Sequence, residues 1–326
     1  MKKTTRYFFG AFALIFFWTT GATAGPLPLP PSVVDQAWRP LYERYDSKLQ
    51  ADLEAALQKN DFWESLIDKK KMAVGVVDLS DPKNPRYARV NGRMMMYAAS
   101  LPKIAVLLAA YVSFEDGSLK ETQEIHEDLI AMIRRSDNAA ATRMIDLIGF
   151  EKIQAVVINP RYQFYDMENG GGLWVGKCYA KKGDRNPDPL KGLSHAANVT
   201  QVCRFYYQLA SGKIISPKRS KEMLEILSNP KIEHKFVNIL RKLVPLARIY
   251  RKSGTWKNWH SDSVLVWGPV WRRYILVSIV ESEQGEKILR DLVSVVERVL
   301  RPAEEPPSEY SPLGWRRHPK KLKKPA

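Results

Sequence analysis

Three short groups of residues in this 326-residue chain could do chemistry together. Ser100 stands three residues before Lys103 in Ser100-Leu101-Pro102-Lys103, Ser136-Asp137-Asn138 follows, and Lys252-Ser253-Gly254-Thr255 comes last. A serine hydroxyl is a weak nucleophile until a neighbouring base takes its proton. Residues three apart share a helix face, so a helical Ser100–Lys103 turn places the lysine amine to be that base. The ammonium must first lose its own proton, and burial beside another cation such as Lys252 lowers its pKa. Positive potential at a helix N-terminus at Ser100 favours the oxyanion formed on attack. The chemistry implied is acyl transfer through Ser100. Each group alone has a plain structural alternative: a helix cap for Ser100, a turn for Ser136, a solvated strand end for Lys252. That alternative must explain three coincidences at once.

The elements around these groups follow from periodicity. Apolar residues recur at helical spacing from Val33 to about Gln58, with Pro40 as a break or first-turn residue. Met72–Leu79 is a β-branched run followed by a Pro- and Asp-rich turn and a shorter run, Tyr87–Val90, which predicts a hairpin. Pro102 is tolerated only in a first helical turn, so it places Ser100 at the start of the apolar helix that follows. Helical spacing resumes from about Ile125 to Leu147, interrupted at Ser136-Asp137-Asn138, where Asp137 reads as a turn cap. Asn159–Leu193, with Gly170-Gly171-Gly172, Pro187 and Pro189, reads as a long functional or mobile loop. A helical pattern runs from Asn198 to about Leu227. Strand-like runs follow at 249–255, 263–267 and 274–280, then a closing helix at 286–300. Strands at both ends of the chain with helices between them predict an α/β (α+β) fold, with one sheet from both ends and the helices inserted as a lobe. A site then belongs where sheet and lobe meet.

The chain starts with Lys2, Lys3 and Arg6, an apolar run Phe8–Trp18, and Ala22-Thr23-Ala24. This is the pattern of a signal peptide, residues 1–24, cut before Gly25; the run falls short of the ~20 residues of a membrane span. Residues 25–32 read as a Pro-rich linker, 33–301 as the folded domain, and 302–326 as a disordered Pro-rich basic tail. Net charge is +16, and removing the three leader cations and the six cations of 316–324 leaves about +7 for the rest of the chain. The tail could hold the protein to an anionic envelope surface or simply aid solubility. Nothing in the body reads as a nucleic-acid reader, and a monomer is expected. Cys178 and Cys203 could form a disulfide in an oxidising compartment, though sequence does not say whether they come within range. His126, His195 and His260 show no zinc-like spacing with them, and neither metal nor other cofactor is expected.

The motifs S-x-x-K, S-D-N and K-[ST]-G, in this order, resemble those of class A β-lactamases and penicillin-binding proteins. The likeness extends through MMMYAASLPKIAVLLAAY, MIRRSDNAAATRMIDLIG, RKSGTWKNWHSDSVLVWGP and RRYILVSIVES, and covers roughly Met72 to Leu300. It implies an antiparallel sheet of about five strands flanked by helices. It also implies an oxyanion hole at the N–H groups of Ser100 and Thr255. Ser136 would relay a proton to the leaving nitrogen, Asn138 would bond substrate or Lys103, and Lys252 with Ser253 or Thr255 would bind the substrate carboxylate. The expected partner is a β-lactam or a peptidoglycan stem peptide.

Two departures qualify this likeness. Ser100 and Ser136 are only 36 residues apart, closer than is typical of class A enzymes, which predicts a more open cleft. The long loop also lacks the E-x-x-L-N motif whose glutamate activates the deacylating water. Glu168 is the nearest glutamate, Asp166, Asp184 and Asp188 are other loop acids, and His195 is a different kind of base. The expectation is therefore a penicillin-binding, D,D-peptidase-like enzyme rather than an efficient β-lactamase. A true β-lactamase with a non-standard base and a non-catalytic cell-wall binder are the alternatives, and the retained Lys103 argues against a pure binder.

Overall fold

The computed structural model describes residue 29 and residues 38–302, apart from 181, 184 and 270. The leader, nearly all of the linker and of the basic tail, and Asp184 lie outside those residues. After a 3₁₀ turn at Leu41–Arg44 come α1 (Ser47–Gln58), α2 (Asp61–Asp68), β1 (Met72–Asp78), β2 (Arg86–Val90) and β3 (Met96–Tyr97). The helices α3 (Lys103–Glu115), α4 (Gln123–Arg134), α5 (Asn138–Ile148) and α6 (Phe150–Ile158) follow. Short strands β4 (Tyr165–Asp166), β5 (Gly171–Gly172), β6 (Trp174–Val175) and β7 (His195–Ala197) lead to α7 (Val199–Ala210), α8 (Pro217–Leu227) and α9 (Phe236–Leu243). The chain closes with β8 (Arg248–Trp256), β9 (Trp259–Trp267), β10 (Arg273–Glu281) and α10 (Gly285–Leu300).

The main sheet is antiparallel, in the order β2-β1-β10-β9-β8, so both chain ends build it as expected. One face, with Val74, Val76, Val264 and Leu276, packs on the apolar sides of α1, α9 and α10. The other, with Ala73, Val77, Leu265 and Val277, packs on α7 and the helical lobe. Covering both faces explains why β1 reads as an unbroken apolar run instead of an alternation. Between them α7 is buried on every side, and its N-cap Asn198 accepts from Gln201 N at 2.8 Å. The helix touches β1 at Gly75, where an added Cβ would lie 2.7 Å from Cys203 Sγ. Cys203 is thus a core residue, while Cys178 lies elsewhere at a cleft, and no disulfide joins the two. No described helix is long and apolar enough to cross a membrane.

Several elements differ from the expectation. α2, α6 and α9 were not anticipated; with eight or nine residues each, they are too short for a clear period. The single helix expected over 198–227 is two, broken where Gly212 and Ile215 take positive φ angles of 68° and 61°. The stretch 159–193 is a packed layer more than a mobile loop. Asn198 Nδ2 donates to the carbonyls of Gly170 and Gly171, and a Cβ at Gly170 would lie 2.1 Å from Arg93 O. Asp188, 2% exposed, gathers Tyr165 OH and the N–H groups of Leu190, Lys191 and Leu193. The glycines serve close approach there.

The Gly75 contact gives a direct test of the sheet–helix packing. Gly75→Ala is expected to lower unfolding free energy by about 1–3 kcal/mol through overpacking, read by urea denaturation. Adding Cys203→Ala should recover part of that loss, because the two changes share one contact.

Candidate active site

Ser100 lies on a tight turn opening α3. Ala99 has φ 51°, and Leu101 N, Lys103 N, Ile104 N and Ala105 N bond three residues back, which is 3₁₀ geometry. Regular α-helix starts only at Lys103, so the nucleophile candidate stands one turn ahead of it. Behind Ser100 runs β8. A Cβ on Gly254 would lie 2.5 Å from Ser100 N and 2.4 Å from Ala98 O, so only glycine lets the strand press against this turn. That contact brings the N–H of Ser100 beside the strand segment carrying Thr255.

Lys103 is fully buried, and its Nζ donates to Ser136 O at 2.7 Å, Asn138 Oδ1 at 2.7 Å and Asp137 O at 3.3 Å. Ser136 takes φ 56° between α4 and α5, an unfavourable angle for a serine that turns its carbonyl towards Lys103. Asp137 caps α5 through Ala140 N at 2.8 Å, as its type and place predict. Lys252, 1% exposed, donates from Nζ to Ser136 Oγ at 2.9 Å and to Ser253 O at 2.7 Å. Lys103, Ser136, Asn138 and Lys252 therefore form one continuous hydrogen-bonded group. Burial pushes the Lys103 amine down to about 7. Burial, with the Lys103 and Arg251 charges, pushes Lys252 well below the usual lysine range.

A cleft of about 570 Å³ opens above this group, lined by Ser100, Asn138, His195, Thr255, Trp256 and Trp259 among others. Between Ser100 and Asn138 no intervening residue lines it, so the short connection supplies no wall. A hollow of comparable size beside Pro230 and Arg248 holds none of the reactive groups. Ser253 is buried in β8 and does not line the cleft. Among the described residues no group of three or more His, Cys, Asp or Glu could hold a metal ion.

The structure does not bring Glu168 to the cleft. It sits on an exposed turn held by Asp166, whose Oδ1 accepts Glu168 N at 3.0 Å. Asp188 does not line the cleft and is consumed by backbone N–H groups. His195 does line it, from β7, where its carbonyl accepts Ala98 N at 2.9 Å. Its Nε2 lies 2.9 Å from Lys177 O and its Nδ1 3.3 Å from Ser194 Oγ. A carbonyl only accepts, so Nε2 carries the proton. Burial first, and then the Lys177, Lys103 and Arg185 charges, hold the ring neutral with a pKa of about 4.

Residues 126–299, more than half of the chain, match the model of the beta-lactamase enzyme family. The chain belongs to that family. The match starts after Lys103, and Ser100 and Lys103 meet it in space through Ser136 and Gly254. Among solved structures the chain is similar to the beta-lactamase from Sphaerobacter thermophilus DSM 20745. The two share 18% identity over 78% of this chain and 97% of that one, with a TM-score of 0.56. It is similar to a variant of the last common ancestor of Gram-negative bacteria class A beta-lactamases at 14% identity, over 74% and 97%, with a TM-score of 0.58. It is also similar to a point mutant of PBP-A, solved as an acyl-enzyme complex with penicillin G, at 18%, over 80% and 98%, with a TM-score of 0.56. Identities this low show a shared beta-lactamase-family fold. No curated protein sequence matches the chain.

Three features of this family member escaped the motif reading. Lys235, buried at φ 54°, donates to Gly254 O at 2.6 Å, Thr255 Oγ1 at 2.8 Å and Ser261 O at 3.2 Å, and so fixes the strand end that carries Thr255. Tyr179 places its ring 4.5 Å from Lys103 Nζ and donates its hydroxyl to Ala99 O at 3.3 Å. Neither left a signal in sequence, since each lies in an irregular segment. Arg251 and Asp262 form a buried pair, with Nε to Oδ1 at 2.7 Å and Nη2 to Oδ2 at 2.9 Å. A polar residue amid the apolar SDSVLVW run was the available sign of that pair.

Asp262→Asn leaves the Arg251 guanidinium buried without its counter-charge. Stability should fall by about 3–5 kcal/mol in guanidinium chloride denaturation, because the pair is wholly inaccessible to water.

Proposed function

We propose that the chain is a secreted serine hydrolase that forms an acyl-serine at Ser100 with a β-lactam or a D-Ala-D-Ala-like peptide and releases it slowly. The observation that carries this is the cleft itself. It is lined by Ser100 and by Asn138, which accepts from Lys103 of the buried Lys103–Ser136–Lys252 group, and no carboxylate is among its described lining residues. Neutral Lys103 takes the Ser100 proton as Oγ attacks the carbonyl carbon. The N–H groups of Ser100 and Thr255 receive the developing oxyanion, an arrangement whose single donors are each worth about 3–4 kcal/mol. Ser136 passes a proton to the departing nitrogen, replenished by the Lys252 ammonium that already donates to its hydroxyl. Lys252, with Thr255, attracts the substrate carboxylate, and Asn138 holds Lys103 in place.

Slow release follows from what the ester meets. Hydrolysis needs a base for water. Glu168 is remote from the cleft lining, and His195 directs Nε2–H at a carbonyl and Nδ1 at Ser194. This favours a penicillin-binding, D,D-peptidase-like role over efficient antibiotic hydrolysis. The acyl-enzyme captured in the PBP-A mutant supports the same chemistry. The leader pattern and basic tail support action at the envelope, as a monomer on peptidoglycan stem peptides.

Intact-protein mass spectrometry after brief exposure to benzylpenicillin should show one adduct per chain that outlasts drug removal and is absent in Ser100→Ala. No adduct and no turnover would reject the reading; rapid turnover of nitrocefin by Ser100 would instead select a true β-lactamase with an unusual base. The acylation rate should also rise as pH passes about 7, where Lys103 becomes neutral, and level off above it. Lys103→Ala should slow acylation by about 10²–10⁴-fold in stopped-flow with a fluorescent penicillin.

A further inference from the structure

Three cations stand around the mouth of the cleft, apart from the buried amines of Lys103 and Lys252. Lys177 and Arg185 come from the segment between β6 and β7, and Lys257 from the β8–β9 turn. None of the three is ion-paired with a described carboxylate, and the described lining carries no acid to offset them. Their anchorage is built rather than incidental. The Lys177 carbonyl is held by His195 Nε2 at 2.9 Å. Asn186, next to Arg185, is fixed by bonds to Gly176 O, Gln154 Oε1 and Trp174 Nε1, each of 2.8 Å. Lys257 takes φ 51° in a two-residue hairpin between the paired Trp256 and Trp259, a place where Asn or Gly fits with less strain. Burial first, and then the Lys177, Lys103 and Arg185 charges, disfavour protonation of His195; burial raises the Tyr97 hydroxyl, and the Arg185 charge opposes that rise.

A substrate with a single carboxylate is already served by Lys252 and Thr255, which leaves the outer cations without a ligand group. We propose that the cleft is built for an acyl donor with two anionic groups, one taken at Lys252 and a second held at the mouth by Lys177, Arg185 and Lys257. Trp256, 56% exposed, and Trp259 add an apolar surface to the same cleft. The ligand class is a dianionic acyl donor, whether an acidic D-Ala-D-Ala peptide or a β-lactam with a carboxylate on its acyl side chain. The placement of its first carboxylate rests on the acyl-serine reading above.

The test uses non-covalent binding to the Ser100→Ala protein, read by tryptophan fluorescence and calorimetry, so it does not depend on acylation. Carbenicillin differs from benzylpenicillin by one acyl-side carboxylate. A D-Ala-D-Ala peptide with an upstream glutamate differs from its glutamine counterpart in the same way. The dianionic member of at least one pair should bind roughly threefold to tenfold more tightly, as expected for a few partly exposed charge contacts. The pair that shows the preference identifies the source of the ligand. That preference should shrink between ~20 mM and ~0.5 M salt as screening shortens the reach of the cations. It should also fall in Arg185→Gln and in Lys257→Asn, the latter a substitution that suits its turn. Equal affinities within both pairs, absence of binding by all four ligands, or a preference untouched by these variants and by salt would overturn the proposal. If Ser100 of the wild-type protein is never acylated while the preference stands, the acyl-transfer reading fails and the dianion site survives.

Discussion

Lys252 donates to the Ser136 hydroxyl while Lys103 donates to the Ser136 carbonyl, so two amines converge on one residue away from bulk water. Two like charges this close and this buried oppose each other, and water cannot relieve them. The surroundings answer with acceptors: three oxygens around Lys103, and the Ser253 carbonyl and Ser136 hydroxyl around Lys252. Both amines are nonetheless displaced towards neutrality. A lysine in that condition can accept a proton near neutral pH, which an exposed lysine cannot do. The strained φ of Ser136 is the local consequence of presenting both its oxygens to the amines.

Such a group needs rigid supports on two sides. The helical lobe supplies Lys103 from α3 and the Ser136 turn between α4 and α5, all packed in one core. The sheet supplies Lys252 and Thr255 from β8, its edge strand. Edge strands are the more deformable ones, and this one is stiffened from behind by the Arg251–Asp262 pair and by Lys235. Asp262 also accepts Phe236 N at 3.1 Å, which ties the start of α9 to the same strand pair. Gly254 then allows the supported strand to meet the Ser100 turn.

The charge pattern of the cleft follows from what its walls contribute. Its described lining holds Lys177, Arg185 and Lys257 and no acid, and carboxylates in the nearby loop are engaged elsewhere: Asp188 with backbone N–H groups, Asp166 with its own turn. Tyr179 covers Lys103 with an aromatic face, a neutral neighbour bonded to Ala99 beside Ser100. A site of this polarity attracts anionic substrates and, once an ester has formed, offers water little help. On the proposed reading, recognition and slow release are two effects of one charge distribution.

The sequence by itself determined the architecture and the candidate reactive set. Strand patterns at both ends, Pro102 in a first helical turn, and three motifs in order follow from local sterics and periodicity, which act within a few residues. Short helices α2, α6 and α9 escaped because eight or nine residues barely complete a period. Tertiary structure alone decided which residues of the irregular 159–193 stretch and of the strand after it reach the cleft. It brought in His195, Tyr179 and Arg185, left Glu168 on an exposed turn, and kept Cys203 under the sheet away from Cys178. Those outcomes depend on contacts between residues far apart in the chain, such as Asn198 with Gly170 and Lys235 with Thr255, and no local pattern encodes the distance between them.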